Sequence, residues 1–252
     1  MSSRPSPRTL TVLSRQTLSP SMIRVSLGGA GMAEFPPGFA GGYVKLMLAP
    51  ATETSKPVIR TYTIRHQADD AIAIDFALHG GEAAGPATRW ALAAQPGDRI
   101  AVGGPGLPKP LPQGRDFYLV AGDMTALPAI GVNLEGLPAD ARGFAAIEIQ
   151  DERDRQDIAA PKGVEIVWLV NPEPGQRPGL LVDALRNVAR PAGSLAAWAA
   201  CEFSGMKQLR EYLRGELALA PADLYLSSYW KHGMIEDEHK LAKQQDAAAQ
   251  PA

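Results

Sequence analysis

Short segments of alternating apolar and polar residues occupy the first 112 residues of the chain, with clusters of glycine, proline and serine between them. In the segment 71–80, Ile72, Ile74, Phe76 and Leu78 alternate with small or polar residues, which is the period of a strand with one buried face. Similar segments occupy residues 9–16, 22–29, 42–49, 58–67 and 98–104. Because no helical pattern separates the first five of these segments, the six together predict a six-stranded antiparallel β-barrel.

The pattern changes after a stretch rich in proline and glycine at residues 109–116, which is typical of a domain boundary. Beyond it, apolar strand segments alternate with segments of helical period. Strands are predicted at 117–123, 143–152, 164–170, 194–200 and 223–230, and helices at 125–137, 180–188, 205–217 and 235–245. This alternation favours a doubly wound parallel α/β domain. We therefore expect a β-barrel domain at 1–112, an α/β domain at 113–240 and a C-terminal tail at 241–252.

Composition and charge narrow the possible partners. The formal net charge is −2 at pH 7, which gives no broad attraction to nucleic acid or to anionic lipid. No apolar run reaches the length of a membrane span and no signal-peptide pattern is present, so a cytoplasmic protein is expected. Cys201 is the only cysteine and the four histidines lack metal-ligand spacing, so no metal site is expected. The charges of the last predicted helix, among them Glu236, Lys240 and Lys243, are expected on a solvated face.

The segment RTYTIR at residues 60–65 combines arginines, an aromatic ring and hydroxyls in one predicted strand. A strand places Arg60, Tyr62 and Ile64 on one face. Tyr62 could then lie flat against an isoalloxazine ring, with Thr63 hydrogen-bonded to that ring and Arg60 in contact with a pyrophosphate. An ordinary strand with exposed arginines would show the same pattern, because strands favour tyrosine and threonine.

The segment LHGGEAAGPATRWA at residues 78–91 predicts a strand end, a glycine-rich turn and a helix that begins at Pro86. Proline suits the first helical position because its missing N–H would have had no partner there. The N–H groups of Ala87, Thr88 and Arg89 would then be available to a phosphate at the positive end of the helix dipole. A surface helix that follows a loop is the alternative interpretation.

These two segments, together with VAGDMTALPAI (120–130) and SSYWKHGMIEDEHK (227–240), resemble the siderophore-interacting protein family in their order and spacing. That family consists of flavin-dependent ferric-siderophore reductases and belongs to the ferredoxin–NADP⁺ reductase-like superfamily. The resemblance runs from about residue 8 to about residue 240.

The resemblance implies that FAD binds to the barrel domain and carries the redox chemistry, so that no residue is expected to be catalytic and no metal is bound. The residues that fall on the family's FAD-binding segments are Arg60, Tyr62, Thr63, Ile64, Leu78, His79, Pro86, Ala87, Thr88, Thr125 and Ala126.

For the second nucleotide, the first turn of the α/β domain lacks the GxGxxG pattern, since Gly122 is followed by Asp123. Asp123 is expected to cap the next helix. The resemblance places Glu202 on the family's second nucleotide-contacting loop, and we predict that it binds the nicotinamide of NADH or NADPH. Tyr229 and Trp230 could shield the face of the flavin or of the nicotinamide. Alternatively, Glu202 is an exposed carboxylate at a strand end, and the two aromatic residues belong to the core.

The family binds its anionic substrate with three basic residues. Lys45 and Lys231 fall on two of these positions, whereas Gly106 takes the third and Lys109 follows three residues later. We therefore predict Lys45, Lys109 and Lys231 as substrate-binding residues, and the missing charge makes a ferric hydroxamate more plausible as the substrate. Solvated surface lysines are the alternative.

The predicted activity passes electrons from NAD(P)H, or from ferredoxin, through the flavin to Fe(III) in a siderophore, and so releases Fe(II) in the cytoplasm. Two other functions remain open at this point. One is a general flavin or ferredoxin–NADP⁺ reductase, and the other is a non-catalytic protein that binds a ferric siderophore.

Overall fold

The computed structural model describes residues 6–48, 58–78, 85–189 and 192–249, and the chain divides into two compact units. Within the described ranges, no helix is both long enough and apolar enough to cross a membrane. The first unit comprises Met1–Pro110, Gly131–Asn133 and Arg153–Asp157, and the second comprises Leu111–Ile130, Leu134–Glu152 and Ile158–Ala252.

The first unit contains one antiparallel sheet in the order β4-β3-β7-β1-β2-β6-β5. The edge strands β4 and β5 are separated in sequence only by residues 64–65, and the Arg65 N–H donates to the Ala73 carbonyl on β6 at 2.8 Å. The sheet therefore curls until its two edges meet, as expected of a barrel. The strands are β1 (Arg8–Ser19), β2 (Met22–Gly28), β3 (Tyr43–Leu48), β4 (Val58–Thr63), β5 (His66–Gln67), β6 (Ala71–Ala77) and β7 (Arg99–Gly106), with helix α1 (Pro86–Ala93) between β6 and β7.

The described part of this sheet has seven strands rather than the predicted six, because the segment 58–67 is interrupted at Ile64 and Arg65. Strand β6 also differs from its predicted half-buried pattern. Asp75 lies on the face that was expected to be polar, yet only 4% of it is exposed. Its carboxylate accepts two hydrogen bonds from the Arg24 guanidinium, at 2.6 and 2.7 Å, so this face is buried through an ion pair.

The second unit contains a five-stranded parallel sheet in the order β10-β9-β8-β11-β12. The order reverses at β8, so the carboxyl ends of β8 and β11 lie side by side at a topological switch point, where open α/β sheets bind ligands. The strands are β8 (Phe117–Gly122), β9 (Arg142–Ile149), β10 (Gly163–Val170), β11 (Leu195–Glu202) and β12 (Leu224–Trp230). The helices are α2 (Leu127–Glu135), α3 (Leu180–Arg186), α4 (Phe203–Arg210) and α5 (Glu236–Ala248).

Two helices of this unit depart from the sequence prediction. Helix α4 begins at Phe203, two residues early, because the Glu202 side chain caps it, and it continues as a π-helix over Glu211–Glu216. Helix α5 extends to Ala248, so much of the predicted tail is helical. Lys243 is exposed, as predicted, but its ammonium also donates to the Ser227 hydroxyl at 2.7 Å, and burial of that end lowers its pKa.

Candidate functional site

The two faces of β4 divide the predicted flavin-binding residues into two sets. Arg60 and Tyr62 lie opposite Leu46 and Val44 of β3, which are fully buried, so these side chains belong to the inner face of the ladder. Thr63 lies on the outer face, opposite the exposed Tyr43. The outer face of β3 also carries the exposed Lys45.

Three aromatic rings connect β4 to helix α1. The Tyr62 ring lies 4.4 Å from the Phe76 ring between centroids, and the Phe76 ring lies 5.7 Å from that of Trp90. Phe76 is fully buried in the core, whereas Tyr62, Trp90 and Leu78 are only partly buried against it. Tyr62 therefore has a fixed ring with some surface left open, which suits stacking against a planar ligand.

Helix α1 begins at Pro86, as predicted, with Gly85 as its N-cap residue. The Arg89 N–H donates to the Gly85 carbonyl at 3.0 Å, so it is not available to a phosphate, contrary to the prediction. Helix geometry leaves the N–H groups of Ala87 and Thr88 without an intrahelical acceptor. These two donors and the positive end of the helix dipole fit a pyrophosphate. His79 lies outside the described residues.

Tyr43 is a candidate binding residue that sequence reasoning missed. Its ring lies against Gly106, the position at which a third basic residue was absent, and 42% of the tyrosine is exposed. A Cβ atom on Gly106 would lie 2.1 Å from Cζ of Tyr43, so any side chain there must displace the ring. The only sequence signal was an aromatic residue two positions from Lys45, on the same face of the strand. Lys109 is exposed, beyond the end of β7.

We expect Gly106→Ala to lower the free energy of unfolding by about 1 kcal/mol, because the new methyl group displaces the Tyr43 ring. The measurement is a double-mutant cycle with Tyr43→Ala by urea unfolding, in which the cost of Gly106→Ala should vanish once the ring is removed. Gly103→Ala is the matched control on the same strand, since its Cβ would meet Met47 Cε at an ordinary 3.6 Å. A cost that persists in Tyr43→Ala would contradict this account.

Asp123 connects three strand ends in the second unit and does more than the predicted helix cap. Its carboxylate accepts hydrogen bonds from the Thr125 N–H at 2.9 Å, the Glu202 N–H at 2.9 Å and the Trp230 indole N–H at 2.8 Å. Only 5% of Asp123 is exposed, and burial raises its pKa although these hydrogen bonds oppose the shift. The carboxyl ends of β8, β11 and β12 are thereby tied together beside the switch point. Ala126 is fully buried, and its N–H donates to the Asp123 carbonyl.

Glu202 is buried, with 6% of its surface exposed, so its interpretation as an exposed carboxylate is wrong. Its Oε2 accepts from the N–H groups of Ser204 and Gly205 at 2.5 and 3.2 Å, and its Oε1 accepts from the His232 N–H at 3.2 Å. Gly175, with φ of +82°, lies against Glu202 and Trp230, and a Cβ there would be 3.4 Å from Cγ of Glu202 and 3.1 Å from Cη2 of Trp230.

The two aromatic residues that end β12 have different surroundings. The Trp230 indole is held by Asp123 and is only partly buried, so part of the ring surface remains open. Tyr229 is also partly buried, and burial, together with the neighbouring Tyr225, raises the pKa of its phenol. Lys231 follows, with its ammonium 4.8 Å from the centre of the Phe203 ring, a cation–π contact that holds this lysine in place.

Glu148, near the carboxyl end of β9, is a second residue that sequence reasoning missed. Only 8% of it is exposed, and its carboxylate accepts a hydrogen bond from the Asn171 amide at 2.8 Å. Burial raises the pKa of Glu148 to about 7. The sequence did contain a signal for a buried carboxylate, because this glutamate is the only charged residue between positions 143 and 150 of an apolar strand segment. Within the described ranges, no three side chains among His, Cys, Asp and Glu are arranged to hold a metal ion.

Comparison with known proteins identifies the family. Residues 115–233 match the family described as Siderophore-interacting protein, and residues 11–56 and 50–109 match the Siderophore-interacting FAD-binding domain. The chain is 33% identical to ferric vibriobactin reductase ViuB of Vibrio cholerae over 253 residues, which cover 92% of each protein. The chain belongs to the siderophore-interacting protein family.

This siderophore-interacting protein is also similar to a solved structure over nearly its whole length. The crystal structure of the siderophore-interacting protein SipS from Aeromonas hydrophila matches with a TM-score of 0.85 and 33% identity, covering 97% of this chain and 99% of that one. The NADPH-dependent ferric-chelate reductase of Escherichia coli is 28% identical over 248 residues, which cover 88% of this chain and 92% of that protein.

The family match assigns the FAD-binding domain of this siderophore-interacting protein to the antiparallel sheet, since residues 11–109 include most of β1 and all of β2–β7 and α1. The second match includes all of β8–β12 and ends at residue 233, before α5 begins. Helix α5 nevertheless packs on the family's sheet, because the buried His239 shares a 2.8 Å hydrogen bond with Ser228 of β12.

Proposed function

We propose that this protein is an FAD-dependent reductase of ferric siderophores that acts in the cytoplasm and takes electrons from NADH, NADPH or ferredoxin. The match to the family's FAD-binding domain over residues 11–109 carries this proposal, because a protein that only stores a chelate has no need of a flavin. The names of two relatives, a ferric vibriobactin reductase and an NADPH-dependent ferric-chelate reductase, support it.

For FAD we propose residues 1–112 as the binding domain. The partly open ring of Tyr62 would meet the isoalloxazine, and the N–H groups of Ala87 and Thr88 would bind phosphate oxygens. Arg60 lies on the same face as Tyr62 and would neutralise the pyrophosphate charge. Bound FAD would supply the chemistry, namely acceptance of two electrons from the donor and their release one at a time. The remaining proposed contacts are Thr63, Leu78, His79, Pro86 and Thr125. Ile64 and Ala126, which were predicted with them, are fully buried and would support these segments from the core.

For the dinucleotide we propose residues 113–240, with Glu202, Tyr229 and Trp230 around the nicotinamide. Asp123 fixes the indole of Trp230 and the backbone of Glu202 at the end of β11, so the carboxyl edge of the parallel sheet is preorganised for a flat ligand.

The substrate of the proposed reaction is Fe(III) in a siderophore. Fe(III) binds hard oxygen donors tightly, whereas Fe(II), with less charge, binds them weakly and leaves the chelate. Lys45, Lys109 and Lys231 would attract the anionic chelate. The outer face that carries Lys45 also presents the exposed Tyr43 ring, which adds an apolar contact beside the charge.

The test is anaerobic mixing of the FAD-loaded protein with NADH, NADPH or reduced ferredoxin, followed by a ferric siderophore. We expect at least one donor to bleach the absorption bands of oxidised flavin in the blue region of the visible spectrum. A colorimetric Fe(II) chelator should then report the release of iron. Apoprotein and free FAD at the same concentration are the controls.

Three other results would change the assignment. Flavin that stays oxidised with every donor would refute the reductase function. Rates that do not depend on the iron ligand would favour a general flavin or ferredoxin–NADP⁺ reductase. A colourless protein that takes up no FAD, but binds the ferric siderophore, would favour a non-catalytic binding role.

A further inference from the structure

A groove of about 820 Å³ lies along α4 and the π-helix that follows it, entirely within the second unit. Its floor includes Phe203, and the Lys231 ammonium lies over that ring. This volume is typical of a site for a small molecule. The groove is lined by Phe203, Ser204, Lys207, Gln208, Arg210, Glu211, Arg214, Gly215 and Lys231.

Cations dominate the lining, since Lys207, Arg210, Arg214 and Lys231 face a single carboxylate, that of Glu211. Arg210 is already paired, with its guanidinium 2.5 and 2.9 Å from the two carboxylate oxygens of Asp246. In the part of the chain that the structure describes, the other three cations make no ion pair with a carboxylate. Asp246, which also interacts electrostatically with Lys207, and Glu211 compensate part of this charge, so the four cations leave the groove with a net positive charge.

The helix is shaped so that these cations share one side. Phe203, Lys207 and Arg210 recur at intervals of four and three residues, which places them on one face of α4. The helix then widens, and the Leu217 N–H donates five residues back to the Tyr212 carbonyl at 2.9 Å. Arg214 and Gly215 lie in this π-helical segment. Such segments are rare and occur frequently at functional sites.

We propose that this groove is a binding site for a small polyanion with clustered oxygen charges. The inference rests on the proposed reductase function for the identity of that polyanion, since such a reductase handles two candidates. One is an anionic ferric chelate with catecholate or carboxylate oxygens, and the other is the phosphate-bearing part of the dinucleotide. Arg214 would bind paired oxygens through its planar guanidinium, while Lys207 and Lys231 would act as point charges. Ser204 and Gln208 supply neutral donors at the same groove.

The experiment measures binding of two probes to the FAD-loaded protein by equilibrium dialysis. The first probe is a tris-catecholate chelate of Ga(III), which carries the charge of the ferric chelate but is not reduced. The second probe is 2′,5′-ADP, which carries the phosphates of the dinucleotide without its nicotinamide. The variant is Lys207→Glu with Arg214→Glu. The matched control is Lys162→Glu with Arg142→Glu, the same charge change at two exposed positions of the same unit.

We expect the groove variant to weaken binding of at least one probe by about tenfold or more, while the control variant changes it by less than about twofold. Weaker binding of the gallium chelate identifies the iron chelate as the ligand, and weaker binding of 2′,5′-ADP identifies the dinucleotide. Equal weakening in both variants, or no binding of either probe to the wild-type protein, overturns the proposal.

Two further measurements separate this proposal from the proposed function. The groove variant should keep the wild-type FAD content and, when its flavin is reduced by light in place of the dinucleotide, the wild-type rate of reduction of a neutral ferric trihydroxamate. If the wild-type protein reduces no chelate but the groove variant still loses the polyanion, the reductase function fails and the binding site stands. If reduction is normal and polyanion binding is unchanged in the variant, the binding site fails alone.

Discussion

Replacing Tyr62 with alanine is expected to remove most of the FAD from the purified protein. The ring is partly buried against Phe76, 4.4 Å away between centroids, so the side chain stabilises the sheet as well as any planar ligand on its open surface. Loss of one aromatic stacking contact should weaken FAD binding by about tenfold to a hundredfold. Truncation of a half-buried aromatic side chain should also lower the free energy of unfolding by about 2 kcal/mol.

The measurement is the ratio of flavin absorbance to protein after dialysis, with urea unfolding of the same samples. Tyr62→Phe keeps the ring and should retain nearly the wild-type FAD content. Ile59→Ala is the control for stability, because Ile59 lies on the outer face of the same strand. Its unfolding free energy should fall without loss of FAD. Full FAD content in Tyr62→Ala, together with reduced stability, would show that the ring is only a core residue.

Local periodicity was enough to predict most of the architecture. The alternation in 71–80 predicted β6, and Pro86 after a glycine-rich turn predicted the first residue of α1. Both are short-range signals, because a strand repeats every two residues and proline favours the first turn of a helix. The same reasoning failed at Asp75, since its pairing with Arg24 joins two strands 51 residues apart in sequence.

The candidate site was less predictable, because its contacts join distant parts of the chain. Asp123 could be expected to cap a helix, but its hydrogen bonds to the Glu202 N–H and the Trp230 indole span 79 and 107 residues. The sequence shows that Gly106 stands where the family has its third basic residue. Only the register of β3 and β7 shows that the Tyr43 ring lies over this glycine. Lys243 has the sequence context of a solvated helix face, and only the packing of α5 on β12 shows its contact with Ser227.

The groove along α4 and the π-helix could not be predicted from the local sequence either. The sequence predicted one helix at 205–217, and the pattern of its apolar residues does not distinguish an α-helix from a π-helix. The three cations that this helix contributes to the groove, Lys207, Arg210 and Arg214, have the spacing of an ordinary solvated helix face. Only the structure shows that Lys231, which follows the end of β12, lies over the Phe203 ring in the same groove as these cations.

Glu148→Gln is expected to remove a large part of the pH dependence of stability between pH 4.5 and pH 7. Burial raises the pKa of Glu148 from 4.5 to about 7, so the folded protein holds a proton that the unfolded chain releases in this range. The contribution of protonated Glu148 to the free energy of unfolding is therefore fully present below pH 4.5 and is lost as the pH rises to about 7. A shift of this size corresponds to at most about 3 kcal/mol.

Glutamine is neutral throughout this range, and its amide oxygen can still accept the 2.8 Å hydrogen bond from Asn171. The variant should match the wild-type protein near pH 4.5 and exceed its free energy of unfolding by about 2 to 3 kcal/mol at pH 8. Urea unfolding at several pH values measures this, with the exposed Glu165→Gln on β10 as control. Some slope should remain, because burial also raises the pKa of Asp123. Parallel pH profiles for wild type and Glu148→Gln would mean that Glu148 ionises as freely as a solvated carboxylate.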